Sequence, residues 1–106
     1  MSIEQQTASI FHLGRRVAKI VRQEIHDPRY RIVLFGSWAQ GRAREHSDID
    51  IGILGPVPVD SVAMDAIRAK CDALDTLYTI ELIDLSRVEE EARRFIVENS
   101  VEMEAA

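Results

Sequence analysis

The fold of this chain is decided by residues 33–53, with the sequence VLFGSWAQGRAREHSDIDIGI. The segment opens with apolar, strand-forming residues, which end at Gly36 and Ser37. Ten residues later comes the triplet of residues 48–50, Asp-Ile-Asp. Side chains two residues apart in a strand point to the same face, about 6–7 Å from one another. The segment therefore predicts two neighbouring carboxylates, Asp48 and Asp50, downstream of a Gly-Ser turn.

Length and charge limit the class of protein. The chain has 106 residues, 46% of them hydrophobic, and a net charge of −5. We expect one domain over residues 1–106. The acidic balance argues against direct nucleic-acid binding, which usually needs a basic patch. It does not exclude local basic spots, and several arginines lie in the N-terminal half: Arg15, Arg16, Arg29, Arg31, Arg42 and Arg44.

The cellular compartment is indicated by what the sequence lacks. Cys71 is the only cysteine, so no internal disulfide can form, which is typical of a reducing cytoplasm. No apolar run approaches the roughly 20 residues of a membrane span. The first ten residues show no basic start followed by an apolar stretch, so no signal peptide is expected. We therefore expect a cytoplasmic protein without membrane contact.

Apolar periodicity predicts three main helices. The first has isoleucines, leucine and valines at helical spacing, and a proline follows its end. The third begins at a Ser86 cap with Glu89 as the partner in a capping box. The predicted helices cover residues 3–25, from Asp60 or Ser61 to about residue 74, and from Ser86 to about residue 99.

Between the helices lie three short runs that favour strands, over residues 31–35, 47–54 and 78–83. Residues 38–44 are predicted as one or two helical turns, and the polar tail, residues 101–106, is expected to fray. This order indicates an α/β (α+β) fold, a small mixed sheet of at least three strands flanked by helices.

Asp48 and Asp50 are candidate metal ligands. In the strand 47–54 they share one face with Gly52, while the isoleucines of the segment take the other face. Mg²⁺ prefers oxygen ligands, and two such ions can hold an attacking and a leaving oxygen together. The alternative is a solvated strand face, but aspartate is depleted in strands, so two of them need a reason.

Gly36 and Ser37 are candidates for binding phosphate. Glycine allows the backbone to approach a ligand closely, and a helical turn that starts there would present free amides. The Ser37 hydroxyl can donate to a phosphate oxygen. The alternative is a plain glycine turn with a serine cap.

Taken together, Gly36-Ser37, ten residues and then Asp48-x-Asp50 resemble the motif of the nucleotidyltransferase superfamily that includes DNA polymerase beta. Residues 36–43 (GSWAQGRA) and 47–51 (SDIDI) look like its smallest branch, the minimal nucleotidyltransferases. These are the antitoxin half of HEPN–MNT toxin–antitoxin pairs. Chain length and element order extend the resemblance over nearly all 106 residues.

The resemblance implies a third metal-binding carboxylate on a later strand. Glu81 and Asp84 both qualify, and three residues apart they face opposite sides of a regular strand. Glu81 is preferred because it lies in mid-strand, although the family usually has aspartate there. The implied catalytic and metal-binding set is therefore Asp48, Asp50 and Glu81. The predicted nucleotide-binding set is Gly36, Ser37 and Arg42. Arg42 and Arg44 lie between the two halves of the motif, and either could neutralise the triphosphate.

The resemblance also implies a function. It is Mg²⁺-dependent transfer of AMP from ATP, or of another nucleotide from its triphosphate, to a hydroxyl of a HEPN toxin, with two ions expected. One alternative is a weak or inactive enzyme that neutralises the toxin by binding alone, since no second domain would cover the base. Another is a domain that modifies small molecules. The first and last helices are the candidate surfaces for a toxin or for another copy of the chain.

Overall fold

Within residues 2–104, which the computed structural model describes, the chain folds as a four-stranded sheet with three α-helices. The elements follow one another as α1 (Ile3–Glu24), β1 (Arg31–Phe35), β2 (Ile49–Leu54), α2 (Ser61–Asp72), β3 (Ile80–Asp84), α3 (Glu90–Glu98) and β4 (Val101–Glu102). None of the helices in this part of the chain is long and apolar enough to cross a membrane. The predicted mixed sheet flanked by helices is confirmed, with one strand more than the expected minimum.

The strand order β3-β2-β1-β4 sets β2 between β1 and β3. β1 and β2 are antiparallel, so Phe35, the last residue of β1, lies opposite Asp50. β2 and β3 are parallel, so Asp50 lies beside Glu81. One end of the sheet therefore brings together the end of β1 and the beginnings of β2 and β3.

The helices α1 and α2 share one hydrophobic core with the sheet, and this core holds β2 in place. Ile49, Ile51 and Ile53 are fully buried in it, as the alternation in residues 47–54 predicts. Burial of one isoleucine side chain contributes roughly 1.5–3 kcal/mol. Because side chains alternate along a strand, this row directs Asp50 to the other face.

Two strands begin later than predicted. β2 begins at Ile49 instead of residue 47, so Asp48 lies one residue before the strand and is exposed. β3 begins at Ile80 instead of residue 78. Tyr78 packs edge-on against Trp38 instead of joining the sheet.

The prediction that residues 101–106 fray is wrong for the part that is described. This segment forms β4 along β1, and the amide of Met103 donates to the carbonyl of Ile32 over 2.8 Å. The Met103 side chain is buried and packs against Gly14 of α1. Polar composition suggested exposure, but the open edge of β1 offers hydrogen bonds that the tail satisfies. Residues 105–106 lie outside the described part.

The last helix also begins differently from the prediction. Leu85–Arg87 form a short 3-10 turn, whose cap is Asp84, and Ser86 lies inside it. The N-cap of α3 is Glu89, and the helix itself begins at Glu90. The carboxylate of Glu89 accepts hydrogen bonds from two amides of the first turn, the role that was predicted for Ser86.

Candidate active site

The position of Asp50 at the centre of the candidate site follows from the register of the sheet. Asp50 lies between Phe35 of β1 and Glu81 of β3. Residues paired in register direct their side chains to the same face, so the carboxylates of Asp50 and Glu81 adjoin. Asp50 is half-buried, whereas Glu81 is exposed. The pair therefore presents one sheltered and one accessible carboxylate.

Gly36 lies directly against the Asp50 carboxylate. Its φ of 75° is in the left-handed region, which glycine adopts without strain. A Cβ at this position would lie 3.1 Å from Cγ of Asp50 and closer still to Oδ2. Glycine is needed here for two independent reasons, the backbone conformation and the approach of the acid.

The turn after β1 contains one helical turn over residues 37–41, so the one or two turns predicted for residues 38–44 are present only at their beginning. Residues 37–41 form a hydrogen-bonded turn, in which the amide of Gln40 donates to the carbonyl of Gly36 over 3.1 Å. Gly41, with φ 70°, then takes the chain out of the helical conformation. A helix dipole is therefore not available, but the amides at the start of the turn can still bind an anion, as in other backbone concavities.

The two remaining candidates for nucleotide binding differ in position. Ser37 follows Gly36 directly and is half-buried, so its hydroxyl belongs to the turn beside the acids. Arg42 is exposed, and its guanidinium donates to Oε1 of Gln40, with the Nε at 2.8 Å. The structure thus brings Ser37 to the site and ties Arg42 to a neighbour in the loop. Both assignments stay predictions.

Trp38 connects the two halves of the motif, a contact that sequence reasoning missed. Its side chain is only 3% exposed, and its Nε1–H donates to the carbonyl of Ser47 over 2.9 Å. Tyr78 packs edge-on against it, with ring centroids 6.0 Å apart. The bond ties the turn at Gly36 to the residue before Asp48. A buried indole must find an acceptor, but the sequence does not indicate which one.

Trp38→Phe is expected to keep the aromatic packing and lose this hydrogen bond. We expect the free energy of unfolding to fall by about 1–3 kcal/mol, because the carbonyl of Ser47 loses its donor. Amide exchange in residues 38–47 should also become faster. Urea unfolding and hydrogen exchange test this, with Tyr78→Phe as the control that keeps both rings. If Trp38→Phe has the unfolding free energy and the amide exchange rates of the wild type, the hydrogen bond of the indole N–H does not stabilise the loop.

Negative charge accumulates at Asp50. Burial raises its pKa, and a side-chain hydrogen bond with Glu81 and the charges of Glu81 and Asp48 raise it further, to about 6. Such a combination of partial burial and like charges favours either a shared proton or a bound cation. Perturbed carboxyl groups of this kind are typical of functional sites.

The raised pKa of Asp50 makes a prediction for the metal-free protein. A carboxyl whose pKa is higher in the folded state contributes stability at low pH, and this contribution is lost as the pH rises through about 6. Asp50→Asn cannot ionise, so we expect it to become progressively more stable than the wild type between about pH 4 and about pH 7. Denaturant unfolding in a chelator tests this. A stability difference that does not change with pH would contradict it.

Of the two candidates for a third carboxylate, Glu81 alone faces the site. Asp84 is buried, and its Oδ2 accepts a hydrogen bond from the amide of Val59 over 2.8 Å. Its Oδ1 accepts from the amide of Ser86 over 3.0 Å, and Arg87 lies 3.5 Å from Oδ2. Asp84 therefore has a structural role at the end of β3. Glu81 stays the predicted third carboxylate.

The donors of the site fit a hard cation that keeps part of its shell open. Asp50 and Glu81 adjoin, while Asp48 is exposed just before β2. Among residues 2–104, no three His, Cys, Asp or Glu side chains converge closely enough to enclose an ion. Mg²⁺ is usually held by one or two carboxylates, with substrate phosphates and waters completing its shell. An open acid pair beside a phosphate-binding turn therefore suits it.

Comparison with known proteins identifies the family of the chain. Residues 15–104 match the nucleotidyltransferase domain family. The chain is 29% identical over 80 residues to the probable protein adenylyltransferase MntA of Haemophilus influenzae, covering 76% of this chain and 69% of that protein. It is 35% identical over 72 residues to the protein adenylyltransferase MntA of Shewanella oneidensis, covering 66% of this chain and 49% of that protein. The match thus spans about half the length of the second relative.

Solved structures with the same fold include two toxin–antitoxin assemblies. One is a toxin–antitoxin crystal structure with AMP-PNP, with a TM-score of 0.63 and 28% identity over 85% of this chain and 71% of that chain. The other is a tri-AMPylated Shewanella oneidensis HEPN toxin in complex with an MNT antitoxin, with a TM-score of 0.61 and 25% identity over 91% and 73%. Since the family model spans residues 15–104, most of the chain, this chain belongs to the nucleotidyltransferase domain family.

Proposed function

We propose that this chain is a Mg²⁺-dependent nucleotidyltransferase that transfers AMP from ATP to a hydroxyl of a HEPN toxin, and so acts as an antitoxin. The observation that carries this proposal is the contact of Gly36 with Asp50, which sets a phosphate-binding turn against a pair of acids. The Shewanella relative is a protein adenylyltransferase and the Haemophilus relative a probable one, and two of the similar structures contain AMP-PNP or an AMPylated HEPN toxin. We expect the partner to be a HEPN toxin encoded next to this chain, the cognate toxin.

Different residues of the chain have different roles in the proposed transfer. The turn amides and the Ser37 hydroxyl hold the phosphates, and Arg42 would add a positive charge if it leaves Gln40. Asp48, Asp50 and Glu81 would hold two Mg²⁺ ions, which when bound neutralise charge on the phosphates. The toxin hydroxyl attacks the α-phosphorus in line, the bond to the β-phosphate breaks, and pyrophosphate leaves.

Glu81 is the residue best suited to take the proton of the attacking hydroxyl. It is exposed beside Asp50 and thus accessible to a second protein. A general base must come within hydrogen-bond reach of the proton that it accepts, and the longer glutamate side chain extends further toward an acceptor than aspartate does. Glu81 could therefore act as the general base even though the family usually has aspartate at this position.

Neutralisation by binding alone is the second candidate function. It is favoured by the exposure of Asp48 and Glu81, which leaves two of the three acids on a surface that a bound toxin could cover. In this case the chain would cover the toxin, and its acids would have no chemical role.

Growth rescue in cells distinguishes the two functions. Asp48→Asn/Asp50→Asn is co-expressed with the cognate toxin, and the matched control is Asp65→Asn/Asp75→Asn, which removes two exposed acids outside the site. The proposed transfer predicts that the site variant still copurifies with the toxin but no longer restores growth, whereas the control restores it. Full rescue by the site variant would favour neutralisation by binding alone.

A further inference from the structure

A groove on α1 concentrates positive charge in a protein whose net charge is −5. It is a cavity of about 430 Å³ between the outer row of α1 and the loop after α2. The row contains residues three, four and seven positions apart, which share one side of a helix. The lining residues are His12, Arg15, Arg16, Lys19, Ile20 and Gln23 of α1, together with Leu74.

The cationic side chains of this groove do not stabilise the fold through ion pairs. The ion pairs within residues 2–104 involve none of Arg15, Arg16 and Lys19, and all three are exposed. At the end of the same helix, Glu24 does pair with Lys70, over 2.6 Å. Like charges three or four residues apart destabilise a helix. This row therefore costs stability unless an anionic partner compensates it.

The floor of the groove is apolar and indicates what kind of anion would bind. Ile20 and Leu74 are both partly buried hydrophobic residues packed on the core, and both line the groove. A phosphate backbone gains little from such a floor, and the overall acidity of the chain repels nucleic acid. An acidic protein segment that also carries apolar side chains can use both the cations and the floor, as amphipathic segments do in other grooves.

The groove extends toward the chain segment that leads into β3. Leu74 also lines a neighbouring hollow, together with Tyr78, Thr79 and Ile80. Ile80 is the first residue of β3 and directly precedes Glu81. Because α1 packs on the core face of the sheet and Asp50 and Glu81 lie on the other face, a partner that docks in the groove would extend around the edge strand β3 to reach the carboxylates.

We propose that this groove docks an acidic, partly apolar segment of the protein that the chain modifies. The proposal rests on the proposed function and adds a recognition site to it, separate from the residues that carry out transfer. Because the site is open, it cannot by itself orient the protein that is modified. Docking at a second surface would supply this orientation. Opposite charges on the two partners also speed their encounter.

Charge reversal in the groove tests the proposal. Arg15→Glu/Lys19→Glu is compared with Arg29→Glu/Arg68→Glu, which makes the same change of charge at exposed positions outside both the groove and α3. We expect the groove variant to bind the cognate toxin at least about tenfold more weakly than the control, with a weaker dependence on salt. Its affinity for MgATP should equal that of the control. If the reversal prevents folding, Arg15→Gln/Lys19→Gln with Arg29→Gln/Arg68→Gln repeats the test.

Other outcomes would overturn the proposal. Equal toxin binding by the groove and control variants would show that docking occurs elsewhere. Loss of binding to a single-stranded RNA oligonucleotide, with toxin binding kept, would assign the groove to nucleic acid. A change of oligomeric state in light scattering, with toxin binding kept, would assign it to a second copy of this chain. A wild-type protein that binds the toxin through the groove but transfers no AMP would refute the proposed function alone.

Discussion

Asp48→Asn is expected to slow AMP transfer to the cognate toxin at least about a thousandfold, because a metal-binding carboxylate is worth several kcal/mol of transition-state stabilisation. Asp48 is exposed immediately before β2, so its replacement should leave the fold intact. The loss should therefore appear in the rate and not in the free energy of unfolding. Initial rates with α-labelled ATP and saturating Mg²⁺ measure it.

The matched control for this prediction is Asp75→Asn, which removes an equally exposed carboxylate from the loop before β3. The control should transfer AMP at the wild-type rate. If Asp48→Asn and Asp75→Asn give similar rates, Asp48 does not take part in transfer and the assignment of the motif is wrong.

Gly36→Ala is expected to abolish transfer and to lower the free energy of unfolding by about 2 kcal/mol or more. The left-handed conformation costs a residue with a Cβ about 1–2 kcal/mol, and at Gly36 the Cβ would also press into the Asp50 carboxylate. To relieve this contact, either the turn or the acid must shift. Each shift separates the phosphate-binding turn from the metal-binding pair.

Gly41→Ala provides the control for Gly36→Ala. Gly41 has a similar φ of 70°, but nothing lies within 4 Å of a Cβ built on it. We expect only the backbone cost, about 1–2 kcal/mol, with transfer retained by the folded protein. The unfolding free energies and transfer rates of both variants distinguish the cost of the left-handed backbone from the effect of the contact between the Cβ and Asp50. Equal losses of transfer in both would mean that the contact with Asp50 is not important.

The sheet could be predicted from the sequence because its determinants are local. The alternation in residues 47–54 predicts both the buried isoleucines and the face of Asp50, and burial confirms it. The preference for Glu81 over Asp84 also agrees with the structure, since Glu81 pairs in register with Asp50 and Asp84 is used as a cap. Strand parity separated the two residues, and the mid-strand position of Glu81 selected between them.

The parts that could not be predicted depend on contacts between distant segments. β4 forms because β1 has a free edge with which it can pair. The polar composition of the tail does not indicate this pairing. The turn after β1 leaves the helical conformation at Gly41. Glycine adopts both the helical and the left-handed conformation, so the sequence does not indicate where the turn ends. The acceptor of the Trp38 indole, the Ser47 carbonyl, is likewise determined only by the closed loop.

The position of the label that reaches the toxin tests the central claim most directly. The cognate toxin is incubated with this chain, Mg²⁺ and ATP labelled either at the α-phosphate or at the γ-phosphate. Nucleotidyl transfer predicts that the α-label becomes bound to the toxin and that the γ-label leaves with pyrophosphate. Toxin that acquires the γ-label, or neither label while it is still neutralised, would contradict the account.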